Sequence, residues 1–431
     1  MGLLIRGGRV IDPGRGFDAE ADVLVHDGRI AAVAPTVPSA GHEVIEGHGL
    51  VVAPGLVDMH VHLRDPGQTH KEDIATGTRA AARGGYSAVA CMANTSPPVD
   101  HPVVVEYLHS RAREIGACRV HPIGAITKGL QGKELAPIAG LASAGAVALS
   151  DDGAAVPDAG LLRRAMGYAN MVGLPIIEHC EDPSLSGGGV IHDGTHAAAL
   201  GLAGIPAESE AVIVARDLLL AEATGARLHI AHVSTRASVR LLREARRRGV
   251  LVTAEVTPHH LVLTDADIGD FDTNRKMNPP LRSADDVAAL REALADGTID
   301  VVATDHAPHA PEEKRVEFDR APFGVIGLET ALGIVLTHLV DPGILTLPEA
   351  IRRMSTRPAQ LLGVPGGRLE PGQPADLVVI DLRRRWMVRA EEFASRSRNT
   401  PFDGWTLEGR AVLTMMGGLI THDLLRAPVT T

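Results

Sequence analysis

Residues 51–67 read Val51-Val52-Ala53-Pro54-Gly55-Leu56-Val57-Asp58-Met59-His60-Val61-His62-Leu63-Arg64-Asp65-Pro66-Gly67. The run is mostly apolar as far as Met59 and then delivers two histidines with one residue between them. Residues i and i+2 of a β-strand project to the same side. His60 and His62 can therefore face one metal ion from a single strand end. In a chain with 20 histidines a three-letter pattern carries little alone. Its weight comes from later apolar runs that also end in His, Asp or Asn.

Such β-like runs fall at 51–59, 85–92, 119–126, 145–150, 174–178, 226–231, 250–256 and 299–303. Segments rich in Ala, Leu, Arg and Glu with helical spacing lie between them, as at 207–224 and 234–248. Eight strand–helix units predict an α/β chain with a parallel, TIM-like (β/α)₈ barrel, whose chemistry sits at the C-terminal strand ends. The residues there suit that role. Strand one ends in His60, His62 and Arg64, and strand two in Met92-Ala93-Asn94-Thr95. Strand four ends in Ser150-Asp151-Asp152-Gly153, strand five in Glu178-His179 and strand six in His232-Val233-Ser234. Strand seven runs into His259-His260, and strand eight into Ala303-Thr304-Asp305-His306-Ala307-Pro308-His309.

Neutral imidazole and carboxylate suit Zn²⁺, and a catalytic zinc keeps one position open. Four histidines with two aspartates exceed what one such ion needs, so two ions sharing a carboxylate fit better. Asp151 and Asp152 are adjacent on a strand and face opposite sides, so only one can bridge, and spacing does not choose between them. His229 lies three residues before His232 and reads as a core histidine facing the other way. His259, His260 and His306 are left outside the ligand set.

The two ends of the chain have a different texture. Strand-like segments at 3–6, 22–25 and 29–33 are punctuated by Asp12-Pro13-Gly14 and Asp27-Gly28, which is hairpin chemistry. Similar segments return at 375–381 and 411–414. The expected organisation is a small β-sandwich built from residues 1–53 and 355–431 around a barrel at 54–354. A net charge of −11 argues against a nucleic-acid surface. Cys91, Cys118 and Cys180 show no C-x-x-C spacing, so neither a disulfide framework nor a thiolate zinc site is expected. No charged leader precedes an apolar core, and no apolar run reaches the roughly 20 residues of a membrane span. The chain reads as cytoplasmic.

Taken together, the segments 54–67, 92–95, 150–153, 232–235, Lys276-Met277-Asn278-Pro279-Pro280-Leu281-Arg282 and 303–309 resemble the amidohydrolase superfamily. Within it the chain is most similar to the class I, bacterial long-chain dihydroorotases. Loop segments 201–206 and Ala321-Pro322-Phe323-Gly324 fit as well. The resemblance implies two zinc ions per subunit, one held by His60, His62 and Asp305 and the other by His179 and His232. It assigns the bridge to the second aspartate of Ser-Asp-Asp-Gly, here Asp152. It implies that Arg64, Asn94 and His309 grip a substrate carboxylate, and that Asn278 with the backbone of Phe323 and Gly324 reads a ring, with His62 also beside the substrate. The reaction it implies is the interconversion of dihydroorotate and N-carbamoyl-aspartate, with Asp305 as the proton shuttle. A homodimer and a complex with aspartate transcarbamoylase are the assemblies it suggests.

Two other readings compete. Dihydropyrimidinases, hydantoinases and allantoinases generally bridge their metals with a carboxylated lysine after strand four, where this chain has Asp151-Asp152. A non-catalytic homologue supporting the transcarbamoylase would have lost ligands that are present here. The polar segment His309-Ala310-Pro311-Glu312-Glu313-Lys314-Arg315 has little apolar anchoring and is expected to order with substrate.

Overall fold

The structure is a computed structural model that describes residues 2–426. Residue 1 and residues 427–431, the outermost parts of the expected terminal unit, lie outside the described residues. Eight parallel strands follow one another in chain order around a barrel. They are Leu56–Val61, Tyr86–Cys91, Arg119–Gly124, Ala148–Leu149, Ile176–Glu178, Leu228–Ile230, Val252–Val256 and Val301–Val302. The ring closes through a parallel bridge between Val61 and His306, with the His62 N–H donating to the His306 carbonyl at 2.9 Å. Strands four and eight are shorter than their apolar runs, since only two residues of each pair regularly. Between strands run helices such as Glu208–Thr224 and Arg236–Arg247, close to the expected segments.

The opening stretch divides at Gly55. Val51–Pro54 belongs to another sheet, pairing parallel with Gly2–Asp12 and antiparallel with Leu377–Met387, and only Leu56–Val61 enters the barrel. A Cβ on Gly55 would lie 2.5 Å from the Cβ of Ser87, so the two sheets can approach here only over a glycine. The second sheet is built from both ends of the chain. It orders Leu419–Asp423, Thr406–Met416, Leu377–Met387, Val51–Pro54, Gly2–Asp12, Phe17–His26 and Arg29–Ala34, with His42–Glu46 also on the first strand. The Asp27-Gly28 hairpin forms as its residues dictate, both at positive φ between paired His26 and Arg29.

Strand periodicity decides which core each residue joins. Val52, Leu377 and Val379 pack with Val10, Val23 and Val412 in the core of the terminal sheet. Val51, Ala53, Val378 and Ile380 face the other way and join the larger barrel core. The barrel floor is plugged by the helix Arg357–Leu362, which sets Leu362 against Met59, Ile177 and Val301 and Ala359 against Val57 and Ala88. Polar chemistry is left to the other end. All three cysteines are buried and free. No helix among the described residues is long and apolar enough to cross a membrane.

Candidate metal centre and substrate cavity

Six of the expected residues converge at the C-terminal mouth of the barrel. Nε2 of His60 lies 3.3 Å from Asp152 and 3.5 Å from Asp305, and Nε2 of His62 lies 3.0 Å from Asp305 and 3.4 Å from Asp152. Across Asp152, His232 Nε2 lies 3.6 Å and His179 Nδ1 3.8 Å from the same carboxylate oxygen. Asp152 thus stands between the two histidine pairs. Asp151 does not. Its carboxylate turns away and accepts the Ile126 and Thr127 N–H groups at 2.8 and 2.9 Å, with the Thr127 hydroxyl on its other oxygen.

Each outward-facing ring nitrogen of three histidines has an acceptor. His60 Nδ1 donates to Glu255 at 2.5 Å, His62 Nδ1 to Asn94 Oδ1 at 2.8 Å and His179 Nε2 to Glu181 at 3.1 Å. An imidazole protonated on its outer nitrogen presents a lone pair on its inner one, the state a metal ligand needs. Of the inner atoms, His62 Nε2 meets Asp305 at 3.0 Å, but others lack partners outside the cluster. His60 Nε2 and Asp152 Oδ1 are buried without a hydrogen bond, and His179 Nδ1 meets His232 Nε2 at 2.9 Å. Buried acceptors crowded together are unfavourable unless a cation sits among them. Two groups, His60–His62–Asp305 and His60–Asp152–His232, each bring their ligand atoms within 4.8 Å of one another.

The charge balance agrees. Burial alone would lower the pKa of His60, but Asp152, Glu255 and Asp305 outweigh it and raise it well above the ordinary value. Burial pushes Asp152 up, yet His60, His232 and His62 hold it well below the carboxylate range. Burial would raise Glu255 and, less completely, the half-buried Glu181, but both are held down at about 2, mainly by His60 and His179 respectively. The pocket favours positive charge, and a divalent ion with N and O ligands fits it.

Local structure holds these groups in place. Asp305, His232 and Arg64 all have positive φ, uncommon for residues with side chains and concentrated where strands give way to functional loops. After strand six, the buried Glu210 accepts N–H and hydroxyl groups of both Ser234 and Thr235, fixing the loop that carries His232. Thr235 then caps the helix Arg236–Arg247 by accepting the Ser238 N–H.

A cavity of about 230 Å³ opens over the centre. His62, Arg64, Asn94, Asp152, His179, His232, Asn278, Asp305, His309, Phe323 and Gly324 all line it, which brings the residues expected to meet substrate to one cavity. Arg64 is nearly buried, its Nε donating to the Pro308 carbonyl at 3.2 Å. Asn94 Nδ2 donates to the Asp152 carbonyl at 3.3 Å, and Asn278 Nδ2 to Glu181 at 2.5 Å. His309 Nε2 donates to the Phe323 carbonyl at 2.8 Å. Burial, with Arg64, Lys314 and Lys71 nearby, lowers the His309 pKa to about 3, so the ring is neutral. At Gly324 φ is +133° and a Cβ would lie 2.8 Å from that of Ala307, so the backbone there can edge the cavity only as glycine.

The other histidines of the strand ends lie outside the ligand cluster. His260 bridges the Thr257 hydroxyl and the Pro279 carbonyl, and His306 faces the buried Glu72 at 3.4 Å. His259 packs against His260 outside the cavity lining. His229 is a satisfied core histidine, but it does not turn away from the centre. It donates to the second oxygen of Glu255 at 3.2 Å, while the His232 N–H reaches the first oxygen at 3.3 Å. Glu255, Glu181 and Glu210 escaped the sequence reading. The available signal was an acid inside the apolar run of strand seven, where a buried parallel strand is expected to be apolar.

Fold and site together define a hydrolase of the amidohydrolase class, which acts on cyclic amides. Residues 49–238 match the dihydro-orotase-like family model, and residues 214–422 match the amidohydrolase family model. The dihydroorotase of Pelotomaculum thermopropionicum is 56% identical over 97% of this chain and 98% of its own length. That of Syntrophotalea carbinolica is 52% identical over 98% of this chain and 100% of its own. Among solved structures, the L-hydantoinase (dihydropyrimidinase) of Arthrobacter aurescens superposes with a TM-score of 0.89 at 29% identity, covering 98% of this chain and 96% of that one. The dihydropyrimidinase of Brevibacillus agri gives 0.87 at 25% identity, over 98% and 95% of the two chains. The chain belongs to the dihydroorotase family of amidohydrolases.

Proposed function

We propose that this chain is a zinc-dependent dihydroorotase that interconverts (S)-dihydroorotate and N-carbamoyl-L-aspartate in pyrimidine biosynthesis. The observation that carries the reading is one cavity lined by five residues of the ligand cluster, with the sixth, His60, buried against them, together with Arg64, Asn94 and His309. His60, His62 and Asp305 would hold one ion and His179 and His232 the other, with Asp152 shared between them. When bound, the two ions supply Lewis acidity, making water nucleophilic near neutral pH and polarising the scissile carbonyl.

The chain's own residues do the rest. Dihydroorotate carries a fixed negative charge, and the Arg64 guanidinium is shaped to take a carboxylate in two charge-assisted bonds. Asn94 adds a hydrogen bond to that carboxylate, as does neutral His309 when its single N–H turns from the Phe323 carbonyl to the substrate, while Asn278 and the Phe323–Gly324 backbone read the ring amides. Asp305 lies 3.0 Å from His62 Nε2 at the centre of the cavity. Its carboxylate takes the proton from the attacking water and delivers it to the leaving ring nitrogen; ring closure reverses these steps. Nearly all of Asp305 is shielded from solvent, so the proton stays with the reacting atoms.

The test is ring opening of dihydroorotate assayed beside allantoin and dihydrouracil, before and after chelation and after zinc add-back. We expect dihydroorotate to be preferred, activity to vanish on chelation and zinc to restore it. Preference for either other amide would overturn the reading. Within the expected ranges 1–53 and 355–431, the described terminal strands form, on this proposal, a sandwich unit flanking the barrel of 54–354, supported by the core that both chain ends share, while the helix Arg357–Leu362 packs with the barrel instead. Cytoplasmic placement, a homodimer and association with aspartate transcarbamoylase belong to the same proposal, and light scattering with and without that enzyme tests the assemblies.

A further inference from the structure

Two lysines that the proposed chemistry does not use lace together the loops around the substrate cavity. Lys314 ends the short helix Pro311–Lys314, buried, and its ammonium donates to Pro322 O at 2.7 Å, Thr273 O at 3.0 Å and Lys276 O at 3.3 Å. The Thr273 hydroxyl returns a bond to the Lys314 carbonyl at 2.6 Å. Lys276 donates to Phe318 O at 2.7 Å and Asp319 O at 3.0 Å, with its ammonium 4.7 Å from the centre of the Phe323 ring. The Lys276 carbonyl also accepts the Gly324 N–H at 3.0 Å.

An ammonium has three hydrogens and accepts nothing. Lys314 gives each of its three to a backbone carbonyl, and the carbonyls come from two separate segments. Thr273 and Lys276 lead directly into Asn278, and Pro322 precedes Phe323 and Gly324. Lys314 itself follows His309 in the same short segment. One buried cation thus ties together three loops whose tips line the cavity, without lining that cavity itself. Apolar contact is sparse in 309–315, as its sequence suggests. What fastens the segment is polar: these lysine bonds, and Glu313, which caps the Ala310 N–H and pairs with Lys71 at 2.9 Å. Burial, with Lys276 nearby, lowers the Lys314 pKa to about 7, and the three carbonyls favour its charged form by replacing the water an ammonium loses.

We infer that Lys314 is a positioning residue that fixes the Asn278, Phe323–Gly324 and His309 loops relative to one another and so sets how tightly the substrate ring is held. The inference rests on the proposed function, through the ring-reading role given to those loops. Asp305 and the histidine ligands sit at strand ends, which Lys314 does not touch. Its loss therefore weakens substrate binding in ground and transition state alike, which raises KM and spares kcat.

The experiment is steady-state kinetics on zinc-loaded wild type, Lys314→Met, Lys314→Arg and Thr273→Val, with zinc content and thermal midpoint measured on each. Lys314→Met is expected to raise KM for dihydroorotate on the order of tenfold, as loss of charged hydrogen bonds warrants, with kcat and zinc content near wild type. Lys314→Arg should recover part of the loss, and Thr273→Val should raise KM less. An unchanged KM in Lys314→Met, or a kcat that falls in step with zinc loss, overturns the inference. If Lys314→Met fails to fold, Thr273→Val decides, and an unchanged KM there overturns it equally. Wild-type turnover keeps the two claims apart. A wild type that prefers another cyclic amide sinks the dihydroorotate reading, and the KM comparison is then made with that amide.

Discussion

The two ends of the barrel are made from the same strands and have opposite characters. At the floor, Met59, Ala148, Ile177 and Val301 pack with Leu362 in one apolar cluster. At the mouth, a residue or a few further along the same strands, His60, Asp152, His179 and Asp305 crowd together with buried acceptors left unpaired. Apolar packing at one end gains stability, whereas the cluster at the other sacrifices it to build a cation site. The difference teaches that stability and chemistry are separated along the strand axis, so substitutions at the two ends should fail in different ways.

The largest expected effect is at the mouth. Asp305→Asn keeps the shape, removes the base and weakens one proposed metal ligand, so turnover compared at equal zinc loading should fall by roughly 10²–10⁴-fold. Near-normal turnover in a zinc-replete variant would break the assignment. Next comes Arg64→Met, which removes the charged partner of the substrate carboxylate; kcat/KM should drop on the order of 10–100-fold. An equal drop for a neutral cyclic amide would show that Arg64 serves structure instead. Glu255→Gln sharpens the comparison from behind the ligands, because it leaves His60 without its carboxylate partner. Competition with a chelator should report zinc affinity weakened by about 10–100-fold. The smallest effect on activity belongs to the floor. Leu362→Ala should cost about 2–5 kcal/mol in denaturant unfolding while leaving KM and kcat unchanged. A matching loss of turnover there would erase the distinction between the two ends.

Much of this was legible beforehand. The alternation of apolar runs with helical segments carried the barrel, and the residues ending those runs carried the ligand types, because a parallel barrel exposes its strand ends only at the mouth. The terminal strands were visible from their turn residues. The division at Gly55 was not, since Val51–Pro54 and Leu56–Val61 form one continuous apolar run. Only the position of Ser87 against the glycine makes the break necessary. His229 was read correctly as a core residue and wrongly as turned away, because strand alternation ends at Ile230 and does not govern His232.

The sequence by itself determined a strand-end cluster of histidines and aspartates on a (β/α)₈ frame, because periodicity and residue chemistry are local properties. Contacts between distant segments were settled only by the tertiary structure. It turned Asp151 onto the Ile126–Thr127 backbone and left Asp152 between the histidine pairs. It set Glu255 behind His60 across 195 residues of chain. It gave Lys314 two carbonyls from a segment about forty residues earlier, at Thr273 and Lys276, beside the nearer one of Pro322. Hydrogen-bond partners of this kind depend on where the closed barrel brings the chain back to itself, and no spacing in the sequence encodes that.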